Sequence, residues 1–189
     1  MQLRYSIFGE SHGPGIGVVI EGLPSGLMVD MDFIQSEMDR RRAKKGGLST
    51  TRLEGDCPEI ISGVFEGRTT GTPLCAMIRN ENTRSGDYTR TMDLARPSHA
   101  DYTGRIRYGG YNDYRGGGHF SGRLTAPLVF AGAIAKLWLV QQGIRVGGHV
   151  LRIGSVEDVP FDMVNVSAEQ LDQLAGCSLP TISEQAGLQ

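Results

Sequence analysis

Between Ile78 and Leu124 the sequence runs for more than forty residues with little helical or strand periodicity. Loops of that length inside a compact domain are usually functional or disordered. Disorder fits poorly, because the stretch holds five of the chain's six tyrosines (Tyr88, Tyr102, Tyr108, Tyr111 and Tyr114) and many glycines. It also carries eight arginines (Arg79, Arg84, Arg90, Arg96, Arg105, Arg107, Arg115 and Arg123) against five acids (Glu81, Asp87, Asp93, Asp101 and Asp113). From Leu124 onward the balance reverses, to three basic residues against six acidic ones. Positive charge is therefore concentrated where the pattern is least regular, and residues 79–124 read as an Arg/Gly/Tyr-rich active-site loop region.

Regular structure must then come from the flanks. Gly15–Glu21 reads as a strand, and Gly22-Leu23-Pro24-Ser25-Gly26 turns the chain. Asp30 precedes Phe33, Ile34 and Met38 at helical spacing with a good N-cap residue, predicting a helix that runs through Asp39–Lys45 and stops at Gly46-Gly47. Strands are expected at Glu59–Phe65, Leu74–Ile78 and Val146–Ile153. A long apolar helix is expected from Thr125 to Gln142, ended by Gly143, and a short one from the capping box at Ser167-Ala168-Glu169-Gln170. The mixed order predicts an α+β fold, and 189 residues suffice for one domain with a real core.

Composition excludes several classes. With 19 Lys+Arg and 21 Asp+Glu the net charge is −2, which lacks the basic excess of a general nucleic-acid binder. The apolar stretch Leu128–Val140 is interrupted by Lys136 and is too short to span a bilayer, so no membrane partner is expected. The N-terminus, Met1–Tyr5, leads into a polar Gly-rich run without the apolar core of a signal peptide. Cys57, Cys75 and Cys177 are far apart and in no metal-ligand spacing, so a cytoplasmic setting and no metal site are expected. Two biases point further. Glycine supplies 27 residues, about twice the ordinary ~7%, and the cations are 16 Arg against 3 Lys. Arginine's planar fork matches carboxylate and phosphate, and glycine lets backbone approach a ligand closely. Together they suggest anion recognition, although a loop-rich protein with surface arginine accounts for the composition equally well.

Three of the four histidines sit in Gly- or Arg-rich loops: His12 in Gly9-Glu10-Ser11-His12-Gly13, His99 in Arg96-Pro97-Ser98-His99-Ala100-Asp101, and His119 after a glycine triplet. Imidazole exchanges protons near neutrality, and such loops let a ligand approach. His149, inside an expected strand, is assigned a structural role. Arg115-Gly116-Gly117-Gly118-His119-Phe120-Ser121 before a helix forms a phosphate-cradle pattern, although it is neither a Walker loop nor a dinucleotide fingerprint. Arg40-Arg41-Arg42 point in different directions around a helix end, so at most one or two can serve a single site.

Taken together, Gly9–Gly13, Asp39–Arg42, Ser62-Gly63-Val64-Phe65-Glu66-Gly67, Arg96–Thr103 and Asp113–Gly118 resemble chorismate synthase, in the family's order and covering about residues 5 to 153. The resemblance implies a chorismate-synthase-like β-α-β sandwich, here partial, and a lyase of the shikimate pathway of aromatic amino-acid biosynthesis. Such an enzyme converts 5-enolpyruvylshikimate 3-phosphate to chorismate and phosphate by anti elimination, and needs reduced FMN in a homotetramer. The family's catalytic histidines map onto His12, which would protonate the leaving phosphate, and His99, which would keep the reduced flavin correctly protonated. Arg41 maps onto a position binding the substrate or the nicotinamide (NADP) side. Arg115 is expected at the anionic substrate, and His119, Phe120 and Ser121 map onto flavin-contacting positions.

Two departures accompany the resemblance. The family often has Arg and Ser where this chain has His119 and Phe120, and a basic residue where this chain has Gly47. The family chain also continues well past Gln189, with a second flavin-binding loop and an Arg-Ser-Asp segment. These 189 residues are therefore expected to be an incomplete domain, the N-terminal half of the family fold, inactive or nearly so alone. The alternative is a truncated, non-catalytic FMN- or anion-binding fragment.

Overall fold

A computed structural model describes residues 2–43, 52–83, 88 and 92–188. Lys44, Lys45, Gly46 and Gly47 of the expected helix end, and Arg84, Asp87 and Arg90 of the loop region, lie outside the described residues. The chain forms two compact units, Met1–Leu137 and Trp138–Gln189.

In the first unit four antiparallel strands form one sheet in the order β1-β2-β6-β3. They are β1 (Arg4–Gly9), β2 (Gly15–Glu21), β3 (Pro58–Ser62) and β6 (Leu74–Arg79). A small hairpin, β4 (Val64–Phe65) and β5 (Arg68–Thr69), lies between β3 and β6 in sequence. Alternation sends Ile16, Val18 and Ile20 of β2 and Leu74, Ala76 and Ile78 of β6 into the core, and the register sets Ile16 opposite Ile78 and Ile20 opposite Leu74. β1 is an addition to the expected strands. It opens on Arg4-Tyr5-Ser6, charged and polar, but its ladder onto β2 is complete from Arg4–Glu21 to Gly9–Ile16. The Phe8 ring occupies the space that a side chain at Gly17 would need.

Helix α1 (Met31–Arg41) starts as its sequence predicts, with the Asp30 carboxylate accepting from the Phe33 amide at 2.9 Å. It ends earlier than expected. Arg42 turns extended and its amide still donates to the Met38 carbonyl at 3.0 Å. Ile34 and Met38 are its buried face. The expected strand Glu59–Phe65 is divided at Gly63, whose φ of +84° brings it against the backbone of Leu74, closer than any Cβ allows. The described part of the 79–124 region is not featureless: it contains helix α2 (Asp101–Arg107) and the 3-10 turns Arg115–Phe120 and Gly122–Leu124.

Helix α3 (Thr125–Gln141) follows closely the expected span, and Gly143 beyond it takes a φ of +74°. Ala126, Pro127, Phe130, Ala133 and Ile134 form its buried stripe. The run Arg115–Gln141 is long and apolar enough to cross a membrane by length and composition alone. That length includes the 3-10 turns, whose Gly116, Gly117 and Gly118 have non-helical backbone. At ~1.5 Å per residue the 17 residues of α3 reach about 25 Å, short of a ~30 Å hydrocarbon core. A Lys136–Glu37 ion pair at 2.9 Å joins α3 to α1.

The second unit corrects one expectation. Val146–Ile153 is not a strand: only Arg152–Ile153 (β7) pairs, with Val156–Glu157 (β8). The chain here is organised by Asp158 instead. Its carboxylate accepts from the amides of Ile182 (2.6 Å) and Ser183 (2.8 Å) and from His149 Nδ1 (3.1 Å). His149 also packs edge-on against Phe161, with ring centres 4.3 Å apart, in keeping with a structural role. Helix α4 (Ala168–Gly176) begins at its predicted cap, Ser167 Oγ accepting from the Gln170 amide, and α5 (Glu184–Leu188) follows.

Candidate functional site

The site forms where the β1–β2 turn, the segment Arg96–Asp101 and the glycine triplet meet. All three triplet residues have positive φ: 58° at Gly116, 87° at Gly117 and 54° at Gly118. Only glycine adopts three such conformations in a row at little cost. Space demands glycine as well. A Cβ on Gly116 would overlap the His12 imidazole, and one on Gly117 would come within 2.9 Å of His99 Nε2. The triplet thus seats two histidines from distant parts of the chain on neighbouring residues. It does not stand at the start of α3, since Ser121–Leu124 intervene.

His12 occupies a tight turn in which the Gly13 amide donates to the Glu10 carbonyl at 3.1 Å. The Asn80 side-chain amide donates to both the Glu10 carbonyl (3.0 Å) and the Gly13 carbonyl (2.9 Å). On the other side of the turn Arg52 donates to Ser11 Oγ at 2.8 Å and to the Ser11 carbonyl at 3.0 Å. The Ser11 amide donates in turn to the Gly118 carbonyl at 3.1 Å, joining the turn to the triplet. The Tyr88 ring meets His12 edge-on at 5.1 Å between centres.

His99 is oriented by an acid. Asp101 Oδ1 lies 2.6 Å from His99 Nδ1, and Arg96 Nη2 lies 3.2 Å from the same nitrogen. Both neighbours meet the same ring nitrogen, which leaves Nε2 facing Gly117. Arg96 grips Asp101 through Nε and Nη2, both at 2.7 Å, and through its backbone amide at 2.9 Å. This Arg96 fork holds the Asp101 carboxyl far below the usual carboxylate range, against the opposing effect of partial burial. Beside the pair, a cleft of about 320 Å³ is lined by Tyr88, Tyr102, Tyr114, Arg96, Arg105 and Asn112 among others.

Beneath the turn lies a buried charge cluster that the sequence did not reveal. Asp56, 2% exposed, bridges Arg41 and Arg123. Arg41 Nη1 is 2.6 Å from it, while Arg41 Nε donates to Thr125 Oγ1 at 3.1 Å and Nη2 to the Gly122 carbonyl at 3.4 Å. Arg123 also donates to Asn80 Oδ1 at 3.1 Å and to the Arg79 carbonyl at 3.3 Å. The neighbouring triplet members take separate partners, Arg40 pairing with Glu37 and Arg42 with Asp39 along the helix surface. Burial pushes the nearby Glu54 carboxyl up, but the Glu81 amide, Arg52 and Arg123 outweigh it and leave it lowered.

The remaining expected residues gather around the same loop, each with a partner inside the chain. Arg115 is doubly bound to Asp113, at 2.9 and 2.8 Å, and this lowers the Asp113 carboxyl despite partial burial. His119 Nδ1 donates to the Gly9 carbonyl at 2.9 Å. Phe120 packs on Tyr108 with ring centres 6.1 Å apart and against Gly104, where a Cβ would come within 2.7 Å of the ring. Ser121 Oγ accepts from the Arg123 amide at 3.3 Å. Arg52, Asp56 and Asn80 are the site residues that sequence reasoning passed over. Their partners are far away in sequence, and no local motif marks them. The described residues contain no cluster of three or more His, Cys, Asp or Glu able to hold a metal ion.

Similar proteins are known from both sequence and structure. The family model described as chorismate synthase matches residues 3–184. Chorismate synthase of Pyrococcus abyssi is 52% identical over 155 residues, covering 82% of this chain and 43% of that protein. Chorismate synthase of Aliarcobacter butzleri is 48% identical over 170 residues, covering 90% of this chain and 47% of that protein. A solved crystal structure of a chorismate synthase superposes with a TM-score of 0.69 at 30% identity, over 96% of this chain and 48% of that one. The chain thus spans less than half the length of these relatives.

Proposed function

Because this chain belongs to the chorismate synthase family, we propose that it carries the proton-handling half of a site that eliminates phosphate from 5-enolpyruvylshikimate 3-phosphate to give chorismate. The observation that carries the reading is the seating of His12 and His99 on adjacent glycines, Gly116 and Gly117. In the reaction a ring C–O bond to phosphate breaks, a ring C–H bond breaks on the opposite face, and a new ring double bond forms. His12 gives a proton to the departing phosphate, and its place in a clamped turn sets the direction of that transfer. His99, with Nδ1 turned to Asp101, exchanges a proton at Nε2.

The reading includes reduced FMN as cofactor, which when bound would supply electron density to the allylic system without net oxidation. The residues fit such a flat anion: Tyr88, Tyr102 and Tyr114 line the cleft, with Arg96 and Arg105 at its wall. Arg115 would meet the substrate's carboxylates and phosphate through Nη1, the nitrogen not spent on Asp113, and Arg41 would meet the substrate or the NADP side through the N–H groups left over from Asp56, Thr125 and Gly122. His119, Phe120 and Ser121 would line the flavin side by holding the triplet in place. A homotetramer in the cytoplasm completes the proposal. Phosphate release with reduced FMN and substrate, measured in a form of the protein that turns over, tests it, turnover lost in His12→Ala supporting it and full turnover in that variant contradicting it.

A second reading is favoured by the chain's share of its relatives' length. On that reading the 189 residues bind FMN or the anionic substrate without turning over. FMN fluorescence titration of this chain, run beside the phosphate assay, separates the two.

A further inference from the structure

We infer that Asn80 is the positioning residue for His12, with Arg123 fixing which way its amide faces; the functional meaning of this rests on the role given to His12 above. Asn80 follows β6, and its side chain is half-buried between the His12 turn and Arg123. A carboxamide has one accepting and one donating end. Arg123 can only donate, and its Nε lies 3.1 Å from Asn80 Oδ1. The oxygen must therefore face Arg123, which leaves both N–H groups of Nδ2 for the two carbonyls at the ends of the turn, Glu10 (3.0 Å) and Gly13 (2.9 Å).

The Asn80 backbone adds a third tie, its amide donating to the Pro14 carbonyl at 3.2 Å. Arg123 is itself immobilised by Asp56 and by the Arg79 carbonyl, and is 6% exposed. The chain of contacts Asp56–Arg123–Asn80–turn thus ends on the residues flanking His12. Its effect is to close the turn around Ser11 and His12 so that the imidazole stays against Gly116.

Asn80→Asp isolates this role. It keeps the shape of the side chain and the contact to Arg123, but replaces both donors to the turn by an oxygen that repels the carbonyls. Amide hydrogen exchange of the 189-residue chain by NMR reads the result. In Asn80→Asp the Gly13 amide, bonded to the Glu10 carbonyl, is expected to exchange about tenfold faster or more, while Val18 and Ala76 in the sheet keep their protection. Unchanged exchange at Gly13 would overturn the assignment. Equal acceleration at Val18 and Ala76 would overturn it too, because Asn80 would then be holding the fold rather than the turn. In a form of the protein that turns over, the same variant should lower kcat with KM nearly constant. Normal turnover in His12→Ala beside fast Gly13 exchange in Asn80→Asp would remove the role of His12 and leave the positioning of the turn intact.

Discussion

The His12 imidazole rests on the α-carbon of Gly116, in space that any side chain at that position would fill. Neither residue explains itself in isolation. Gly116 has a φ of 58°, which favours glycine, and the ring above it removes the option of a Cβ even if the backbone were permissive.

Gly116→Ala should therefore cost more than the strain of a positive φ. Gly26 has a φ of +84° with nothing within 4 Å of a built Cβ, so Gly26→Ala measures the backbone strain alone, about 1 kcal/mol. Denaturant unfolding should show Gly116→Ala losing clearly more than Gly26→Ala, and Gly122→Ala, open and without positive φ, losing less than either. Equal losses at Gly116 and Gly26 would mean that the ring does not press on the triplet.

The buried bridge of Asp56 between Arg41 and Arg123 gives a second expectation. Arg123→Leu leaves Asp56 buried with one cation fewer and strands the Asn80 oxygen, a loss of about 3–5 kcal/mol by denaturant unfolding. Arg40→Ala removes only the exposed pair with Glu37 and should stay within about 0.5 kcal/mol.

The acid response of the second unit follows from Asp158. Burial pushes its carboxyl up, but the amides of Ser183, Ile182 and Val159 and the His149 ring overcome this and bring it from 3.8 to about 2. The folded value lies below the unfolded one, so the stabilisation is complete above the unfolded value and fades as pH falls through the folded value. The amide proton shifts of Ile182 and Ser183 should hold constant down to about pH 4 and then titrate together toward a midpoint near 2. A midpoint near 4 would mean that the amides do not hold the carboxylate.

Much of the framework was legible in the sequence, and the reasons are local. Asp30 and Ser167 mark helix starts because an N-cap acts on amides three residues away, and α3 declares itself through a long apolar run, interrupted only at Lys136, and Gly143 after it. β1 escaped because its pairing partner, β2, contributes the regularity that Arg4–Gly9 lacks. Val146–Leu151 carries strand-like residues, yet no partner strand lies beside them among the described residues, and Asp158 organises that segment instead. At the site the motifs named the histidines and the glycine triplet. They could not name Asn80, Asp56 or Arg52, whose functions exist only through contacts made by folding.

The central claim is that His12 and His99 act as the proton-handling pair of the site. Its most direct test is phosphate release across pH, measured for His12→Ala and His99→Ala in a form of the protein that turns over, beside their unfolding midpoints. The account predicts that each substitution lowers kcat about a hundredfold or more and changes stability by no more than about 1 kcal/mol. Near-normal turnover across pH in either variant would contradict it.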